Sequence, residues 1–144
     1  MKPVAIIDTN ILVAGILTGD SRSPVCQIVD GMLTGQFPFV LSPALLAEYR
    51  RVLLRPRIRA YHRWTIEEID IFLEEIVASA IWCEPSGQHQ APDPGDDHLW
   101  RLLHECKGTV LITGDRLLLR QAEALPILTA RDFVSRFLDN TTPH

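Results

Sequence analysis

The sequence predicts an α/β fold with a mainly parallel sheet. Short, wholly apolar runs alternate with longer stretches of helical periodicity. The apolar runs are continuous, as strands covered on both faces should be, and turn or capping residues mark their ends. Parallel strands need crossover connections, which the helical stretches can supply.

The first strand is Val4-Ala5-Ile6-Ile7, ending at Asp8. A helical region follows through about Leu33, and residues 37–41 read as a second strand. Ser42-Pro43 closes it, a serine cap with proline at the first helical position. From there to about residue 55, Leu45, Leu46, Tyr49, Val52 and Leu53 recur on one helical face, with Glu48 at its edge and Arg51 and Arg55 beside it. Thr65 and Glu68 form a capping box that opens a helix with Ile66, Ile69, Phe72 and Ile76 inward. Ile81-Trp82-Cys83 is a short third strand. Residues 84–95, rich in proline and glycine, form a loop, and Asp96 and Asp97 start a helix that runs to about Cys106 and ends before Gly108. Residues 109–113 are the next strand, stopped by Gly114-Asp115. A helix near residues 116–123, a strand at 126–128 and a last helix over about 130–138 complete the chain.

At 144 residues and 47% hydrophobic content, the expectation is one domain over residues 1–144. No apolar run approaches the roughly 20 residues that a membrane span requires, and Met1-Lys2-Pro3-Val4 leads straight into a strand, so a cytoplasmic protein is expected. Cys26, Cys83 and Cys106 are odd in number and show no CxxC spacing, which reads as three reduced core residues and no zinc site. The net charge of −4 argues against nucleic-acid binding by bulk electrostatics. The distribution matters more: Arg50, Arg51, Arg55, Arg57, Arg59, Arg63 and His62 form an acid-free stretch, either a solvated helix end and loop or a surface for phosphates or a partner.

Asp8 and Asp115 each follow a strand and Asp96 heads a helix, so each could simply be a helix cap. Glu48 could simply pair with Arg51. Ligands bind beyond the carboxyl ends of parallel strands, however, and four carboxylates converging there would repel one another unless a divalent cation neutralised them. Oxygen donors without a Cys or His pair indicate Mg2+ or Mn2+. His62, His89, His98, His104 and His144 show no paired metal spacing, and His98 is expected on the exposed first turn of its helix.

Asp8-Thr9-Asn10 after a strand, Ala47-Glu48-Tyr49 on a helix, Asp93-Pro94-Gly95-Asp96-Asp97 before a helix and Ile112-Thr113-Gly114-Asp115 after a strand together resemble the PIN-domain nucleases, from Val4 to Phe137. The resemblance is to the prokaryotic branch described as toxin components of toxin–antitoxin systems. It implies a three-layer α/β/α sandwich, metal-dependent cleavage of RNA, frequent homodimers and an antitoxin partner. It also implies Asp8, Glu48, Asp96 and Asp115 as ligands of one or two Mg2+ or Mn2+ ions, with Asn10 and Thr113 in support. Asp96 is preferred to Asp97 because Leu99 and Leu103 follow it at i+3 and i+7; Asp97 is a second ligand or an exposed first-turn acid. Relatives commonly carry a further acid where this chain has Leu117, which puts a second metal in doubt. Arg51 and Arg55 are expected to hold flanking phosphates of the RNA. The rival reading is a catalytically weak module of the same fold that acts through protein or RNA binding. A phosphatase is disfavoured, since Asp8-Thr9-Asn10 lacks a second aspartate two residues on.

Overall fold

A computed structural model describes residues 2–138. His144 therefore lies outside the described residues. The strands are β1 (Val4–Ile7), β2 (Val40–Leu41), β3 (Ile81–Trp82), β4 (Thr109–Ile112) and β5 (Ile127–Leu128). All are parallel: β1 pairs with β4, β4 with β5 and β2 with β3. A single bridge from Ala5 to Phe39 joins the two groups, giving the order β3-β2-β1-β4-β5. The chain thus leaves β1 toward one side for β2 and β3, then crosses to the other side for β4. The β1/β4 boundary is the switch point at which an open parallel sheet leaves a crevice.

The helices are α1 (Thr9–Leu17), α2 (Pro24–Thr34), α3 (Pro43–Leu53), α4 (Pro56–His62), α5 (Ile66–Ser79), α6 (Asp97–Glu105), α7 (Arg116–Leu119) and α8 (Ala130–Phe133), the last continuing as a π turn through Leu138. The α/β class and the parallel sheet stand as expected. Among the described residues no helix is long and apolar enough to cross a membrane.

Several boundaries differ from expectation, each for a local reason. The helical region after β1 is two helices, because Ser23 caps a new one with Pro24 at its first position. The second strand shrinks to Val40–Leu41, since Pro38 has no N–H to give a ladder and contributes only its carbonyl, which accepts from Ala5 N at 2.9 Å. On α5 it is Leu73 that turns inward, while Ile66 in the first turn is exposed. The stretch before Thr65 holds a further helix, α4: Pro56 starts it and Arg63, at φ 60°, ends it. The helix after Asp115 stops at Leu119.

The cysteines are also not all reduced. Cys83, after β3, and Cys106, after α6, are joined as a disulfide across 23 residues of sequence, and Cys26 is free. Spacing alone could not predict this, because the intervening loop doubles back onto α6. The Glu105 carboxylate accepts from Ser86 N (3.1 Å) and Gly87 N (2.9 Å), fastening that loop beside the end of the helix.

The core is continuous. Ala5, Ile6, Leu41, Leu45, Leu99, Leu111 and Phe133 are completely buried, and each large apolar side chain among them contributes about 1.5–3 kcal/mol. That surplus is what allows a charged group to be held at the sheet edge. Gly15 sets the approach of α1 to α2: a Cβ there would lie 2.4 Å from the Val29 side chain and 2.5 Å from the Val25 carbonyl oxygen. The close crossing seats α1, and with it the residues at the end of β1.

Candidate active site

Asp8 is only 5% exposed and sits between the end of β1 and the start of α1. It does not cap the helix with its side chain. Instead its Oδ2 accepts a 2.7 Å bond from the Thr113 hydroxyl, which reaches across from the end of β4. Thr113 Oγ1 in turn accepts from Asp115 N at 3.0 Å, so one buried threonine ties the two strand-end aspartates together. Burial raises the pKa of Asp8, the Thr113 bond opposes the rise, and Glu48 and Asp115 add to it.

Tyr49 explains why α3 presents Glu48 here. Its ring is fully buried and its hydroxyl donates a 2.6 Å bond to the Ile7 carbonyl, pinning α3 to the end of β1. Loss of that hydroxyl would leave a buried carbonyl unpaired, a cost of about 1–3 kcal/mol. Glu48 is the residue before it. Its carboxylate does not pair with Arg51; it accepts from His98 Nε2 at 2.5 Å, and the two side chains are 21% and 12% exposed. This bond is the main cause of a lowered Glu48 pKa, with the more distant charge of Arg51 a minor one. Arg50, on the other side of the helix, pairs with Asp70.

Asp96 ends the 3-10 turn that leads into α6 and caps nothing with its side chain. Burial, then repulsion from Asp8, Asp115, Asp93 and Glu48, pushes its pKa up to about 6. All four predicted carboxylates therefore share one electrostatic neighbourhood at the switch point. Asp115 does serve as a helix cap, its Oδ1 accepting from Leu117 N at 2.8 Å, while its charge still reaches Asp8 and Asp96. The Asp97 Oδ1 accepts from Ala91 N at 2.8 Å and secures the loop before α6. That bond gives it a structural task, and Asp96 is the acid that feels the other three. Of the two polar supports, Thr113 lies at the centre, while Asn10 is exposed. Arg51 and Arg55 are both exposed.

Two residues escaped sequence reasoning. His98 is not on an exposed turn; its ring is nearly buried against Glu48 and its Nδ1 has no hydrogen-bond partner. The signal was Leu102, buried at i+4, which marks His98 as the rim of the core-facing stripe. Thr9 is 1% exposed, and its hydroxyl lies close enough to Glu48 to help hold down that pKa, yet it makes no well-formed hydrogen bond.

Among the described residues no three potential ligands stand close enough together to enclose a cation as they are. Carboxylates that repel one another without a counter-ion are not expected to close up. The donors nonetheless suit a hard divalent cation, Mg2+ or Mn2+: they are oxygens, they carry the charge that such an ion neutralises, and the Thr9 hydroxyl beside them is buried without a partner.

A family model described as PIN domain matches residues 4–117, a stretch that contains all four acids and ends just after the start of α7. β5 and α8 lie beyond the match. No curated protein matches the chain.

Proposed function

The chain belongs to the PIN-domain family, and from that premise we propose that it is a Mg2+- or Mn2+-dependent endoribonuclease. The observation that carries the proposal is the mutual repulsion of Asp8, Glu48, Asp96 and Asp115, brought from four different elements to the β1/β4 switch point. Two of the four have pKa values raised by burial and by the others. Such an arrangement destabilises the protein unless something positive binds there.

In this reading Asp8, Glu48, Asp96 and Asp115 hold the cation. When bound it supplies charge neutralisation at the phosphodiester and an attacking water of lowered pKa. The chain's own residues do the positioning. Thr113 orients Asp8 and fixes the backbone of Asp115, His98 holds the Glu48 carboxylate, and Tyr49 fixes the helix that carries it. Arg51 and Arg55 hold flanking phosphates, since guanidinium forks match phosphate oxygens. The products are a 5′-phosphate and a 3′-hydroxyl. One cation suffices, because Leu117 stands where a further acid would support a second.

We extend the proposal to the biological role: a cytoplasmic toxin, acting as a homodimer and restrained by an antitoxin protein. The alternative of a catalytically weak binding module is favoured by Leu117 and by Arg51, Arg55 and Arg57, which have no ion-pair partner among the described residues. Incubation with unstructured RNA separates the two readings. Cleavage in Mn2+ or Mg2+ that stops with EDTA and leaves 5′-phosphate ends is expected; intact RNA in both metals would leave only the binding module.

A further inference from the structure

We propose that the face formed by α4 and the end of α1 is a docking site for single-stranded RNA, in which Tyr61 stacks on a nucleobase. The inference takes its ligand from the nuclease reading and adds a subsite to it. Tyr61 is 79% exposed, the most exposed large hydrophobic residue described. It overhangs a cavity of about 530 Å3 lined by Leu17, Arg55, Pro56, Arg57, Ile58 and Tyr61. The site is thus an apolar floor and an aromatic wall with two guanidinium groups beside them. That is the composition by which proteins hold unpaired bases and their phosphates.

The cavity lies one helix length from the carboxylates. α1 begins just after Asp8 and ends at Leu17, so nine rises of 1.5 Å put Leu17 about 13.5 Å from Asp8 along the helix. Arg51 lies one turn after Glu48 on α3 and is near enough to pull on its pKa, and Arg55 opens α4 at the cavity rim. A strand crossing from the carboxylates to the cavity would meet Arg51, then Arg55, then Tyr61. No acid interrupts residues 50–63, and among the described residues Arg51, Arg55 and Arg57 have no ion-pair partner.

A second copy of the chain fits this face less well. A two-fold interface would set the same arginines against each other, with no acid in the segment to compensate. A polyanion with flat apolar bases answers both features at once.

The test is the affinity of a fluorescently labelled, unstructured RNA, read by anisotropy in EDTA so that no strand is cut. Tyr61→Ala should bind about ten-fold more weakly, Tyr61→Phe should bind like the parent, and Ile71→Ser, an exposed control on α5, should change nothing. Moving a single abasic site along the RNA should reproduce the loss at one position for the parent and add nothing further for Tyr61→Ala. Unchanged affinity in Tyr61→Ala overturns the inference. So does sedimentation in which that variant loses self-association but keeps its RNA affinity, because the face is then an interface between copies. A protein that binds RNA through Tyr61 but cuts none in Mn2+ sinks the nuclease reading alone. One that cuts RNA but is indifferent to Tyr61 sinks this inference alone.

Discussion

Asp8→Asn is expected to slow RNA cleavage by at least about 100-fold while leaving the melting temperature unchanged or higher. The size follows from the placement of Asp8 among the proposed ligands, since removing only an outer-shell partner of a metal site costs about 10–100-fold. The opposite sign for stability follows from its burial. The carboxylate is 5% exposed, and desolvation is the largest influence on its raised pKa. Asparagine keeps an oxygen to accept from Thr113 Oγ1 and removes the charge that burial penalises. A loss of activity with no loss of stability is the mark of a group kept for function. Initial rates in Mn2+ and a thermal scan of the same preparation check it. An active Asp8→Asn, or one inactive only because it melts early, would count against the assignment.

The second large effect is a metal-free protein that becomes more stable as the pH falls from about 7 to 5. Asp8 and Asp96 both have folded-state pKa values above the ordinary carboxylate value, Asp96 at about 6. Between 3.8 and about 6 the folded state therefore binds more protons than the unfolded chain, and stability falls as the pH rises through that window. Glu48, whose pKa is lowered, acts in the reverse sense, but only at pH values below its ordinary 4.5. Saturating Mn2+ at pH 7 should replace the protons: at 100 times its dissociation constant it adds about 2.7 kcal/mol, or roughly 9 °C for a chain of this length. A melting temperature that declines from pH 7 to 5, and that Mn2+ does not raise, would contradict the crowding of the carboxylates.

Much of this was legible in the residues. Apolar runs ending in Asp8 and Gly114-Asp115 located the sheet edge, because a strand buried on both faces has no other way to end than in polar residues. Ser42-Pro43 and the Thr65–Glu68 capping box located two helices by hydrogen bonds that are local in sequence. What was not legible depends on contacts between distant segments. The helical neighbours of Glu48 offer Arg51 as its partner, but the residue that bonds it, His98, comes from 50 residues away. Thr113 could be named as a support, yet its double duty to Asp8 and Asp115 needs β1 and β4 side by side. The Cys83–Cys106 disulfide needs the fold of the loop before α6. α4 is hidden for a different reason: it is only seven residues long, and Arg57 and Arg59 with the flanking Arg55 and Arg63 give it the charge of a solvated loop, so that Pro56 is its one clear start signal.

The most direct measurement is anomalous diffraction from a crystal grown or soaked with Mn2+. A peak is expected at the β1/β4 switch point, bonded to oxygens of Asp8 and of at least two among Glu48, Asp96 and Asp115. No peak there, with the metal bound elsewhere or not at all, would contradict the claim that these carboxylates form a cation site.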